Sequence, residues 1–231
     1  PVALDVKVSG VKENDFSMAL GFPGKTEQYL TSNAVDNYIN IILPARIEMR
    51  ENSLKHIDAS MDLSESNFIK YASKQSRISN AYKKWIGQDL GLRKKQAVGK
   101  KRSEEKNWVE KSPSNQLLLD RLFTLEEQKI KYQLAYSLFI ELWYYGPEII
   151  RFSNGIEKLM DAEEFENKIK NKQKNSINYF KNYDVKVDKE VFKSLIPIYL
   201  KHLGDDLEDP LMISSLPVSY THLRAHETRH D

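Results

Sequence analysis

The chain of 231 residues contains no cysteine, which excludes disulfides and thiolate metal sites. It also lacks any apolar run near the roughly 18 residues needed to cross a bilayer. Charge of one sign is missing too: 35 basic against 33 acidic residues give a formal +2, a field too weak to call for nucleic acid or an anionic membrane. The basic clusters Arg93-Lys94-Lys95 and Lys100-Lys101-Arg102 are followed at once by Glu104 and Glu105, with no aromatics between them, so they read as solvated faces. Neither Gly-x-Gly-x-x-Gly, nor a Walker loop, nor Gly-x-Ser-x-Gly occurs, and no cofactor is expected. What is present is enough for a core, with 40% hydrophobic residues and 10% aromatics. The chain opens at Pro1 rather than at methionine, which predicts a fragment whose own N-terminus, with any export signal, lies upstream.

Three of the five histidines, His222, His226 and His230, fall at i, i+4 and i+8 in the last residues. On a helix they would share a face and imitate a metal site. Residues Val218 to Thr228, however, resemble the translated frame of a transposon-type sequencing-library adapter. Residues 218–231 are therefore read as a non-native tail, and no metal site is assigned.

Residues 1–32 read as extended. Val2, Leu4, Val6 and Val8 alternate with Asp5 and Lys7, and Phe16, Met18 and Leu20 repeat that period before the turn Gly21-Phe-Pro-Gly-Lys-Thr26. Beyond Ser32 the period becomes helical. Thr31 and Ser32 are expected to cap a helix with Val35, Tyr38, Ile39 and Ile42 on one stripe, kinked or interrupted at Pro44. A second amphipathic segment starts near Ser64, carries Phe68, Tyr71, Gln75, Ile78, Tyr82 and Trp85 or Ile86, and should stop at Gly87 or Gly91. A third places Leu118, Leu122, Leu125, Ile130, Leu134, Leu138 and Leu142 inward before Gly146-Pro147 breaks it. Asp161 and Glu164 suggest a capping box for a helix with Phe165 and Ile169. Asp188 is expected to start another, with Val191, Leu195 and Tyr199 inward, a bend at Pro197 and Gly204 just past its end. The fold class is mainly α: a short β segment and then five to seven packed helices.

Outside the tail the histidines are His56 and His202, both in helical, charge-rich surroundings that suit surface or rim roles. Carboxylates such as Glu126 with Glu127, or Asp205 with Asp206, are sequence neighbours and point apart on a helix. The residues alone supply no complete active site.

Three blocks taken in order change how that absence is read. They are the glycine turn with Tyr29-Leu-Thr-Ser32, the segment Pro44-Ala-Arg-Ile47, and Tyr71-Ala-Ser-Lys74 with Ser79-Asn80 and Ile86-Gly-Gln88. Together they resemble the dipeptidyl-peptidase 7 and 11 type of bacterial serine peptidase, similar to chymotrypsin but with a large helical domain between its two β-barrels. The resemblance implies that residues 1–32 are the end of the first barrel and residues 33–217 an incomplete helical insert. It also implies that the catalytic triad lies outside this chain, so that the fragment alone is inactive. By the same resemblance Asn80 binds the free amino group of a peptide substrate, and the whole protein is a periplasmic or secreted homodimer. The resemblance departs at two points: Lys25 stands where arginine is common, and the tryptophan after Asn80 comes only at Trp85. The competing expectation is a non-enzymatic helical module that binds a protein partner.

Overall fold

The structure is a computed structural model and describes residues 8, 10–18, 21, 27, 29–153 and 165–204. The chain divides into two compact units, Pro1–Leu30 and Thr31–Asp231. In the first, the described backbone forms a tight turn, closed by the Asp15 amide donating to the Lys12 carbonyl at 3.1 Å, with Asn14 left-handed at φ 73°. No strand occurs among the described residues, and Phe16 and Met18 are exposed. Most of the alternating segment 2–8 and of the turn 21–26, Lys25 included, lies outside the described residues.

The described part of the second unit consists of helices joined by short turns. Thr31 opens α1, Ser32–Asn37, its hydroxyl accepting from the Ala34 amide at 3.1 Å, so the expected cap is in place. The same hydroxyl donates to the Glu126 carboxylate at 2.6 Å, while the Ser32 amide and hydroxyl donate to Glu105 at 2.6 and 2.5 Å. Both carboxylates thus meet the positive end of the first helix, where anions are favoured.

Proline does not interrupt the path as expected. A π-turn, Tyr38–Ile42, carries α1 directly into α2, Leu43–Met61, with Pro44 in the first turn of α2. The Leu43 amide reaches back to the Tyr38 carbonyl, five residues earlier. That wider loop makes room where the proline ring would meet a carbonyl and where its missing N–H would leave a gap. The expected stripe holds: Val35, Ile39 and Ile42 are buried.

Ser64 caps α3, Glu65–Lys94, by accepting from the Asn67 amide at 3.2 Å. Tyr71, Ile78 and Trp85 are buried as the spacing predicts, whereas Phe68 is exposed near the helix start. Gly87 and Gly91 do not end the helix. They sit on its open side, where an added Cβ would touch nothing within 4 Å, and the left-handed residue that stops the run is Gln96, φ 51°. Both glycines are therefore helix-interior positions carrying an unneeded entropy cost. Gly87→Ala and Gly91→Ala are each expected to raise stability by about 0.5–1 kcal/mol, read as a higher midpoint in a thermal melt.

After α4, Ala97–Val109, the long α5 spans Pro113–Phe139 and passes through a second π-turn, Ile140–Tyr144. Here the expectation is corrected: Leu118, Leu122 and Leu125 are about half exposed, and only Leu119 is buried in that half of the helix. At about 1.5 Å per residue α5 is roughly 40 Å long, longer than the core it borders. Its C-terminal end alone reaches that core, through Leu134, Leu138 and Leu142.

The Gly146-Pro147 break is where it was expected, and residues 148–153 form the described part of α6. A Cβ on Gly146 would stand 2.3 Å from the Leu142 carbonyl oxygen, a contact no backbone atom can yield to. Gly146→Ala is expected to cost about 2 kcal/mol or more, measured as a fall in the chemical-denaturation midpoint.

The helix with Phe165 and Ile169 is α7, Phe165–Asn182; Asp161 and Glu164 lie outside the described residues. The last helix, α8, Val185–Leu203, is capped by Asp184 rather than started by Asp188, and Pro197 sits within it. Val191, Leu195 and Tyr199 are buried, and Gly204, φ 70°, closes the end. The core is built on α2, whose Ala45, Met49, Leu54 and Ile57 pack against Tyr71 and Ile78 of α3, Leu138 and Leu142, and the apolar face of α8. Residues 205–231, with the three tail histidines, lie outside the described residues.

Candidate functional site

Asn80, the one residue assigned to substrate, lies on the exposed side of α3, flanked along the helix by exposed Ser76, Lys83, Lys84 and Gly87. Among the described residues its side-chain amide enters no hydrogen bond, so one carbonyl oxygen and two N–H donors face outward. Its neighbours Ile78 and Ser79 are buried, which fixes the helix rotation that presents Asn80.

Behind this face lies a buried charged cluster. Arg46 and Arg50, one turn apart on α2, converge on Glu141 in the second π-turn. The Arg46 Nε and Nη2 donate to Glu141 Oε1 at 3.0 and 2.6 Å, and the Arg50 Nε donates to Glu141 Oε2. The Arg50 Nη1 then donates to the Ile78 carbonyl of α3 at 3.2 Å. Both guanidinium groups lie over Trp85, at 4.0 Å for Arg46 and 4.9 Å for Arg50, and Tyr145 covers Arg50 at 4.0 Å. Arg50 and Glu141 are each 2% exposed, so burial makes these pairings obligatory. This is also the place of the displaced tryptophan: Trp85 is a platform for two arginines.

A second polar centre lies between α3, α6 and α8. Asp188 accepts from the Glu148 and Ile149 amides at 2.6 and 3.1 Å and from the Tyr183 hydroxyl at 3.1 Å. It thereby caps α6 from a neighbouring helix, which is the role it takes in place of starting α8. Lys74 stands 3.6 Å from Glu148 and 3.9 Å from Asp188, and burial lowers its pKa despite these carboxylates. Burial, with the charges of Glu148 and Asp188, pushes the phenols of Tyr71, Tyr179 and Tyr183 well above their ordinary value of 10.0.

A phenol raised in the folded state keeps a proton that the unfolded chain has lost. Its stabilisation is complete below pH about 10 and disappears as pH rises above that. In an alkaline titration followed by tyrosinate absorbance, three of the 12 tyrosines are expected to ionise together with unfolding rather than before it. Early ionisation of all of them would contradict the burial of this centre.

Neither histidine sits in hydrolytic geometry among the described residues. His202 Nε2 lies 2.6 Å from Glu48, beside Lys201 at 2.9 Å from the same carboxylate, and His56 is half buried on α2. Burial raises the Glu48 pKa, but the hydrogen bonds from His202 and Lys201 outweigh it and hold the carboxyl below its ordinary value. No serine hydroxyl is hydrogen-bonded to His56 or His202 among the described residues. Glu126 and Glu127 do not pair: Glu126 is engaged by Thr31 and Glu127 is exposed. Asp205 and Asp206 lie outside the described residues. No group of three or more potential ligands fit to hold a metal ion occurs among the described residues.

Sequence reasoning missed the two polar centres. The first left a faint signal: Glu141 is the lone carboxylate in the run Leu138–Tyr145, and Arg46 and Arg50 interrupt the apolar face of α2 one turn apart.

Three comparisons bear on this arrangement. The family model described as peptidase S46 matches residues 2–219. An Asp/Glu-specific dipeptidyl-peptidase from Flavobacterium psychrophilum is 32% identical over 232 residues, covering 94% of this chain and 32% of that protein. A dipeptidyl-peptidase 7 from Porphyromonas gingivalis is 28% identical over 207 residues, covering 87% of this chain and 29% of its own length. The chain therefore spans about a third of the curated relatives it matches. Among solved structures, Porphyromonas endodontalis DPP11 in complex with the dipeptide Arg-Glu superposes with a TM-score of 0.67 at 20% identity, over 83% of this chain and 29% of that one, which supports the helical fold. With nearly its whole length matched by the family model, the chain belongs to the peptidase S46 family.

Proposed function

We propose that this chain is the helical part of a serine-type dipeptidyl-peptidase, one that releases dipeptides from the free N-terminus of peptides through an acyl-enzyme. The observation that carries this reading is the peptidase S46 match over residues 2–219, with relatives named as dipeptidyl-peptidases. The reacting serine, its histidine and its aspartate belong to parts of the protein outside this chain, and this chain alone is inactive. Its contribution is Asn80. A side-chain amide oxygen accepts a charge-assisted hydrogen bond from an α-ammonium, and anchoring that ammonium two residues from the attacked carbonyl sets the length of the product. We place the protein in the periplasm or outside the cell, as a homodimer acting on peptides.

The test is made on the full-length protein. A fluorophosphonate probe should label one serine and abolish dipeptide release, and acetylating the substrate amine should suppress turnover. Release that survives the probe would remove the serine mechanism, and equal cleavage of acetylated peptides would remove the dipeptidyl assignment.

A further inference from the structure

We propose that Arg50 is a positioning residue for Asn80: its buried guanidinium clamps α3 on both sides of that asparagine and so fixes where the substrate ammonium is received. The proposal rests on the substrate role given to Asn80 above. Among the described residues no hydrogen bond holds the Asn80 side chain, so its placement depends on the rotation and axial position of α3.

Beyond the burial of Ile78 and Ser79, one side chain engages α3 on both sides of Asn80. On the N-terminal side of Asn80, the Arg50 Nη1 donates to the Ile78 carbonyl at 3.2 Å, using a lone pair that a helix carbonyl otherwise leaves spare. On the C-terminal side, the Arg50 guanidinium carbon lies 4.9 Å from the centre of the Trp85 ring. Ile78 and Trp85 are two helical turns apart, about 10 Å along the axis, with Asn80 between them on the opposite face. Glu141 fixes the Nε edge of Arg50, and Tyr145 covers its face at 4.0 Å. Edge and plane are thus both engaged, a demand that guanidinium meets and the point charge of lysine does not. Glu141 itself sits in a π-turn, an irregularity that brings a carboxylate into a stretch of otherwise apolar helix.

The full-length enzyme provides the test, with Arg50→Lys, Asn80→Ala and the double variant assayed on a dipeptidyl substrate with a free amine. Arg50→Lys is expected to raise KM about tenfold, the scale of one charge-assisted hydrogen bond made poorly, with kcat within about twofold. In the Asn80→Ala background the same substitution should change KM no further, because there is nothing left to position. Losses that add in the double variant, or that fall in kcat alone, would overturn the proposal, since a general weakening of the fold behaves that way. If Asn80→Ala raises KM and Arg50→Lys does not, the positioning role is wrong and the role of Asn80 stands. If Asn80→Ala leaves KM unchanged, both fall. Should Arg50→Lys not fold, Tyr145→Leu removes one stacking face while leaving the ion pairs, and the same cycle with Asn80→Ala decides.

Discussion

Replacing Glu141 with leucine is expected to lower stability by about 3–5 kcal/mol, a drop of roughly 10 °C in melting midpoint for a helical body of this size. The magnitude follows from what remains. Glu141 pairs with two guanidinium groups at once, and Arg50 is 2% exposed, so its charge would stay buried without a counter-ion. Water cannot replace the carboxylate without opening the packing of α2 against α3 and the second π-turn. Arg46, whose side chain is 23% exposed, can turn outward and loses less. The buried ion cluster is not by itself a source of stability, because two desolvated arginines offset most of the attraction. Replacing Arg46, Arg50 and Glu141 together by methionine, methionine and leucine is therefore expected to recover most of the loss. A triple variant as unstable as Glu141→Leu would show that the cluster contributes net stability. Denaturation midpoints of the three proteins decide between these outcomes.

Asp188→Ala is expected to cost about 3 kcal/mol or more. Three donors lose their acceptor together: the Glu148 and Ile149 amides at the start of α6, and the Tyr183 hydroxyl. Lys74, 8% exposed, loses one of its two carboxylates at the same time. The Glu148 amide donates to one carboxylate oxygen and the Ile149 amide to the other, so Asp188→Asn keeps an acceptor for only one of the two amides and is expected to lose about half as much. Adding Lys74→Met to Asp188→Ala should return part of the loss, since the ammonium left behind is a separate penalty from the uncapped helix. Without such recovery, Lys74 would be sufficiently balanced by Glu148 alone, 3.6 Å away.

The helices were legible wherever a stripe of apolar residues met a complete core. Val191, Leu195 and Tyr199 fell inward because α8 lies on α2 along its length. Leu118, Leu122 and Leu125 show the same spacing and stay outside, because periodicity reports a face and not what covers it. Gly87 and Gly91 misled for a related reason: glycine signals a helix end only where a left-handed residue is needed, and that need falls on Gln96. Pro44 was tolerated because a π-turn preceded it, a local change of pitch that no residue pattern announces. At the candidate site the legible part was a motif. Ser79-Asn80 could be picked out by resemblance, whereas the clamp around it joins residues 46, 50, 85, 141 and 145, which only the packing of α2, α3 and the second π-turn brings together.

The central claim is that Asn80 receives the free amine of a peptide. It is tested most directly by Asn80→Ala in the full-length enzyme, comparing kcat/KM for one peptide with a free and with an acetylated N-terminus. The preference for the free amine is expected to fall by about tenfold or more, through loss of the free-amine rate with the acetylated rate unchanged. An unchanged preference, with the variant folded, would contradict it.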